Sequence, residues 1–212
     1  MKDKELLTEE QMDYIREMIN IGTGNAAVAF SQMLQRSVDI KIPEIYFFQA
    51  SQIPPFLKDP AQPFAGVSMQ MVGDIRGRLF FLVPEEQKNI LTEFIEKATP
   101  GYENKGGVDI DLSVLEELGN ILAGVFLVSI HDFCKLNIYH SVPELRTDMI
   151  QSLLDESIAD TADGFSRIIL IESEFAVVRE NIRTFFLIIP TMESAKKLVN
   201  SINDARKQMY GN

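Results

Sequence analysis

The sequence predicts an α/β (α+β) fold of two pseudo-symmetric half-domains that share one β-sheet. Three observations carry this expectation. The 212-residue chain matches itself when shifted by 100 positions. Glu17 falls on Glu117, Asn20 on Asn120, Ile21 on Ile121, Gly24 on Gly124, Val28 on Val128, Pro43 on Pro143 and Glu44 on Glu144. Self-similarity at a fixed offset marks a repeated supersecondary unit. The same order of helix, strand, hairpin and helix is also legible in each half. Finally, 46% hydrophobic and 24% charged residues is an ordinary globular balance, enough to bury a core.

Each half opens with a helix. Thr8-Glu9-Glu10-Gln11 has the pattern of a capping box, and Tyr14, Ile15, Met18 and Ile19 follow at helical spacing. In the second half Ser113-Val114-Leu115-Glu116 has the same pattern, followed by Leu115, Leu118, Leu122, Val125 and Phe126. A strand comes next, Val38 to Ile42 and Leu136 to Val142, each leading into Pro-Glu. A hairpin is expected where Gly66 to Met71 pairs with Arg78 to Val83 across a turn near Gly73-Asp74. Its counterpart runs from Arg167–Glu172 and Phe175–Val178 to Thr184–Ile189. The closing strands, Phe80-Phe-Leu-Val-Pro84 and Phe186-Leu-Ile-Ile-Pro190, are alike. Proline ends each strand, and helices over Glu85–Lys97 and Met192–Lys207 follow. The turn-rich stretch 99–107 reads as the linker. The chain is thus expected to form one domain, 1–212, with repeats at 8–98 and 108–208.

Charge and composition exclude several function classes. A net charge of −11, with no run of Lys or Arg, argues against nucleic-acid binding. No segment offers the roughly 18–20 continuous apolar residues of a membrane span, so no membrane insertion is expected. The charged amino terminus Met-Lys-Asp-Lys-Glu precedes no apolar signal core, and Cys134 is the single cysteine. A cytoplasmic location is the resulting expectation.

The chemistry rests on a constellation that occurs twice. Asp13, Glu17, Asn20 and, twenty-three positions on, Pro43 have the spacing of Ser113, Glu117, Asn120 and Pro143. Positions i, i+4 and i+7 share a helix face, so Asp13, Glu17, Asn20 and Gly24 form one stripe. Ser113, Glu117, Asn120 and Gly124 form the other. An exposed Glu or Asn is usually only solvated. Asparagine is a mediocre helix former, however, and glycine costs roughly 1 kcal/mol against alanine in a helix interior. Both recur at one spacing on two helices, which argues for a role.

On these residues, and on the strings Asn-Ile-Gly-Thr-Gly-Asn-Ala-Ala (20–27) and Glu-Glu-Leu-Gly-Asn-Ile (116–121), the chain resembles the CheC/CheX/FliY family of CheY-phosphate phosphatases. Two motif copies resemble the two-site CheC type, and the resemblance covers nearly the whole chain. It implies a CheC-like fold with both motif-bearing helices on one face of the sheet. It further implies a protein phosphatase of bacterial chemotaxis that acts on the aspartyl phosphate of phosphorylated CheY. The chain would need no cofactor of its own, with Mg²⁺ expected on the CheY partner. Asn20 and Asn120 would orient the attacking water, since an amide accepts and donates hydrogen bonds without titrating near neutrality. Glu17 and Glu117 would dock onto CheY by pairing with its lysine. A monomer is the expected state.

Ile19 stands before Asn20 where Gly119 stands before Asn120. A branched side chain there crowds an approaching partner unless it points into the core, and the second site ranks first on that ground. Gly22-Thr-Gly-Asn-Ala-Ala27 mimics a dinucleotide-binding fingerprint, but a helix runs into it where a strand is needed. His131 and His140 are too sparse for a metal site. Residues Asp148–Ala159 read as an amphipathic helix without a helical counterpart in the first half. In CheC proteins the deamidase CheD docks in this region, and Asp148 resembles the family's docking segment; core packing is the competing reading. A non-catalytic module that binds phosphorylated CheY or CheD, in adaptation or at the flagellar switch, is the alternative function.

Overall fold

Leu79, Phe80, Phe81, Leu82 and Val83 are consecutive apolar residues, and every one is buried. A strand points successive side chains to opposite faces, so such a run requires cover on both sides. The computed structural model, which describes residues 7–34, 37–49, 59, 61–98, 110–159, 167–177 and 180–210, supplies that cover. The linker expected at 99–107 lies outside the described residues.

The elements, in order, are α1 (Glu9–Leu34), β1 (Asp39–Gln49), β2 (Pro63–Gly73), β3 (Gly77–Pro84), α2 (Glu85–Ala98) and α3 (Ile110–Cys134). They continue with β4 (Ile138–His140), β5 (Glu144–Met149), α4 (Ile150–Ala159), β6 (Arg167–Val177), β7 (Glu180–Pro190) and α5 (Met192–Tyr210). The strands form one sheet in the order β1-β6-β7-β3-β2-β4, with β5 continuing beside β2. All pairings are antiparallel. At the centre β3 pairs with β7, Leu79 opposite Ile188 and Phe81 opposite Phe186. The first strand of each half pairs across to the other half: β1 with β6, and β4 and β5 with β2.

Alternation sorts the strand residues into two cores. Ala65, Val67, Met69, Leu79, Phe81, Phe186 and Ile188 pack with α1, α3, α2 and α5 on one face. Phe64, Phe80, Leu82, Phe185, Leu187 and Ile189 pack on the other with Ile150, Leu153 and Leu154 of α4. Glu156 holds α4 there between Arg78 of β3 and Arg146 of β5, at 3.2 Å from each. The length and composition of Val114–Cys134 in α3 would suffice to cross a membrane, yet this helix is the centre of the first core, packed on α1, α2, α5 and the sheet.

The hairpins form as expected, with Gly66 opposite Leu82 and Met71 opposite Gly77. Gly73 has φ of 105°, and a Cβ there would stand 2.4 Å from the carbonyl oxygen of Asn137, so the turn requires glycine. At Thr8 the capping box is real: Thr8 N–H donates to Gln11 Oε1 (2.7 Å), and Gln11 N–H to Thr8 Oγ1 (3.3 Å).

Three expectations need correction. The helix α3 begins at Ile110, so Ser113 lies inside its first turn and is not its cap. The strand expected over Val38 to Ile42 runs on through Pro43 to Gln49, with a one-residue register shift between Lys41 and Glu44. Proline cannot donate to a ladder, and on an edge strand a bulge absorbs it. The same device explains Pro143, which separates β4 from β5 while both stay paired with β2. Lastly, Asp148 and Met149 belong to β5 and α4 starts at Ile150; pairing with Phe64 and Pro63 of β2 outweighs their helical spacing.

Candidate functional site

The periodicity of α1 decides what it shows to solvent. Ile15, Met18, Ile19, Ala26 and Phe30 are buried against the sheet and α3. Asp13, Glu17, Asn20 and Gly24 are exposed. The pattern repeats on α3: Leu115, Leu118, Leu122 and Phe126 are buried, Glu117 and Asn120 are exposed and Gly124 is partly exposed. Both Glu–Asn pairs therefore stand on helices that cover the same face of the sheet and project away from it. Among the described residues, no hydrogen bond or ion pair engages Glu17, Asn20, Glu117 or Asn120. Asp13 differs, because its carboxylate accepts from Arg16 Nη1 at 2.7 Å.

The supporting residues are placed as follows. Beyond the local backbone of their own helices, Gly24 and Gly124 have no atom within 4 Å of where a Cβ would stand, so nothing in the fold requires glycine at either. By contrast a Cβ on Gly119 would lie 2.1 Å from Val67 Cγ2, so Gly119 faces the sheet. Ile19 is 2% exposed and points into the core. Neither residue preceding an asparagine crowds the outer surface, and the ground for ranking the second site first falls away. Pro43 and Pro143 sit at the register breaks on the two sheet edges, and Ser113 on the first turn of α3. Asp148 is exposed, and its carboxylate accepts the backbone N–H of Met149 (2.7 Å) where β5 turns into α4.

Two clefts flank these stripes, and pattern reading along one helix reaches neither, since each is built with a distant element. A cleft of about 620 Å³ beside Glu17 is lined by Glu10, Asp13 and Tyr14 of α1 and by Asn203, Arg206 and Lys207 of α5. Gln11 and Asn203 (2.7 Å) and Glu10 and Arg206 (2.6 Å) hold its two walls together. Another, of about 430 Å³, opens at Gly124 and Val128 toward His131 and toward Ile138 and His140 of β4. Each histidine places Nδ1 against a backbone carbonyl, of Leu136 (3.1 Å) and Ser141 (2.9 Å). A carbonyl only accepts, so each Nδ1 carries the proton. Val28 and Val128, eight residues beyond the asparagines, are both 57% exposed.

The α1–α3 pair is antiparallel. Tyr14 meets Phe133 edge-on (centroids 5.7 Å), and Gly22 lies against Ser129 and Phe126. Among the described residues no group of three or more His, Cys, Asp or Glu is arranged to hold a metal ion. The site offers an exposed amide and, one turn before it, an exposed carboxylate. That suits orienting a small polar molecule against a docked partner.

The description of the CheC-like family matches residues 10–46 and 110–145, two segments that enclose the two motif copies. The CheY-P phosphatase CheC of Bacillus subtilis (strain 168) is 31% identical over 195 residues, covering 91% of this chain and 93% of that protein. Among solved structures, Thermotoga maritima FliY superposes with a TM-score of 0.71 at 19% identity, over 95% of this chain and 100% of that one. The FliM middle domain of H. pylori superposes with a TM-score of 0.63 at 13% identity, over 92% and 99%. These two likenesses are of fold.

Proposed function

The chain belongs to the CheC-like family, and on that premise we propose that it is a phosphatase of bacterial chemotaxis that hydrolyses the aspartyl phosphate of phosphorylated CheY. One observation carries the reading. Two Glu–Asn pairs recur at equal spacing on two helices of one face, exposed and without partners among the described residues. The name of the Bacillus relative, a CheY-P phosphatase, agrees with it.

An acyl phosphate is attacked at phosphorus by water. The bond between phosphorus and the aspartyl oxygen breaks, the aspartate carboxylate leaves, and the water proton ends on inorganic phosphate. Phosphoryl transfer gains chiefly from positioning and charge stabilisation, with little covalent work for the protein. Asn20 or Asn120 accepts a hydrogen bond from the water and aims its lone pair at phosphorus. Fixing a diffusing nucleophile in this way can supply several kcal/mol. Glu17 or Glu117 meets a lysine of CheY and sets the register, and the Mg²⁺ that neutralises the phosphoryl group belongs to CheY. The chain acts in the cytoplasm as a monomer.

Phosphate release from phosphorylated CheY tests this reading. Asn20→Ala with Asn120→Ala should abolish stimulated release while the melting temperature stays near wild type, since both side chains are exposed. Undiminished release by the double variant would refute the mechanism. Tight binding of activated CheY by a wild type that releases no phosphate would favour the non-catalytic module.

CheD is the second proposed partner, docking on the exposed β5 edge around Asp148 and Met149. Asp148→Lys should weaken CheD binding at least tenfold and leave phosphate release unchanged. Equal CheD affinity would remove Asp148 from that interface.

A further inference from the structure

We propose that the two Glu–Asn pairs share a single docking floor, so that the molecule engages one phosphorylated partner at a time in either of two pseudo-symmetric poses. This rests on the phosphatase reading above and goes beyond it to the stoichiometry and the coupling of the sites.

The argument begins with the helix pair. Tyr14 lies against Phe133 and Gly22 against Phe126 and Ser129, which fixes the antiparallel register of α1 and α3. Carried two residues further, that register sets Gly24 beside Gly124, to within about three residues. The midpoint of the face between the two pairs is therefore made of two glycines. Beyond the local helix backbone, neither has an atom within 4 Å of its absent Cβ, so the face is bare there. Each glycine costs about 1 kcal/mol of helix stability against alanine, and packing inside the chain explains neither. The valines that follow one turn later are both 57% exposed, so the bare centre has an apolar margin.

Distances then decide how many partners fit. Each asparagine lies four residues from its glycine, about 6 Å along its helix at 1.5 Å per residue. With axes about 8–10 Å apart, the two asparagines are roughly 15 Å from one another. A standard protein interface covers about 800 Å² per partner, a patch roughly 30 Å across. A globular partner that brings its phosphoryl group to Asn20 must lie over Gly24, Gly124 and Val128. One that docks at Asn120 must lie over Gly124, Gly24 and Val28. The two footprints overlap at the glycines, and occupancy of one site excludes the other.

The probe is CheY activated with beryllium fluoride and Mg²⁺, which mimics the phosphorylated state without turning over. Calorimetric titration of the wild type should give one CheY per chain. The Asn20→Ala and Asn120→Ala variants should also each give one. Two CheY per wild-type chain would overturn the proposal. Absence of any binding would overturn it together with the phosphatase reading, whereas a one-to-one complex whose wild type releases no phosphate would sink only the latter.

The shared floor makes a second, sharper demand. In the Asn20→Ala background only the second pair works. Adding Gly24→Leu there should raise KM for phosphorylated CheY about tenfold with kcat nearly unchanged, although Gly24 sits on the other helix. Gly24→Ala should have a smaller effect. Both should raise the melting temperature, because the site is open and leucine and alanine are better helix formers. A KM unchanged by Gly24→Leu in that background would show two separate floors.

Discussion

A thiol buried at the end of a helix behaves differently from one held ready for chemistry. Cys134 is 7% exposed, and burial pushes its pKa up to about 11 from a usual value of 9.0. The thiolate is the reactive form, so near pH 8 the folded protein should react with a disulfide reagent about 100-fold more slowly than an unperturbed thiol. The unfolded chain should react at the ordinary rate. Labelling as fast as in the unfolded chain would contradict the burial. The same shift sets a sign for stability. The folded state favours the neutral thiol, so this contribution is complete below pH 9 and is lost as pH rises toward 11. Melting temperatures across pH 8–11 for wild type and Cys134→Ala should therefore converge at the alkaline end. At the same scale, Asn20 and Asn120 were legible in the sequence because a polar residue that disfavours helix interiors recurred at equal spacing. Val28 and Val128 recur at the same offset, but their exposure was not legible, since an apolar residue in an amphipathic helix defaults to the core.

Among elements, α3 shows how one residue type takes opposite roles on opposite faces. Gly119 faces Val67 of β2 with no room for a methyl group, while Gly124 faces open space. Gly119→Ala drives a Cβ to 2.1 Å from a short, branched, buried side chain, and the neighbours must move. Overpacking of this kind costs about 1–3 kcal/mol, set against the helix propensity gained. Gly124→Ala should instead stabilise the protein by roughly 1 kcal/mol. Urea midpoints for the two variants should move in opposite directions, and a shift of the same sign for both would contradict the assigned faces. Helical spacing put Gly124 on the stripe of Glu117 and Asn120, but the close approach of Val67 to Gly119 is a contact between distant segments that no local pattern carries. The helices, hairpins and closing strands were legible, because 3.6- and 2-residue periods and the prolines after Val83 and Ile189 are local signals. The end of β5 was not. Met149 fits the helical stripe of Ile150, Leu153 and Leu154 equally well, and what decides is pairing with β2, some 80 residues away.

For the whole molecule, the way strands cross between halves bears on what can fold. We propose that the repeats at 8–98 and 108–208 are halves of one cooperative unit. Cutting the chain within 99–107 separates β3 from β7 at the centre of the sheet, β1 from β6, and β2 from both β4 and β5. Each fragment keeps one hairpin, β2–β3 or β6–β7, and at least one strand with no neighbour. An isolated two-stranded hairpin is marginal in water, and its uncovered edges invite association. The helices fare no better, because α1 and α3, which cover one another, go to different fragments. Neither fragment alone should melt cooperatively as a monomer. Mixed in equal amounts they should reassemble, melt cooperatively and recover phosphate release, with both Glu–Asn pairs again on one face. The pseudo-symmetry offers the orphan strand of a fragment an equivalent edge on a second copy of itself; sedimentation velocity separates that homodimer from a monomer. A monomeric, cooperatively folding single fragment would show that each repeat carries its own core, which the exchanged strands argue against.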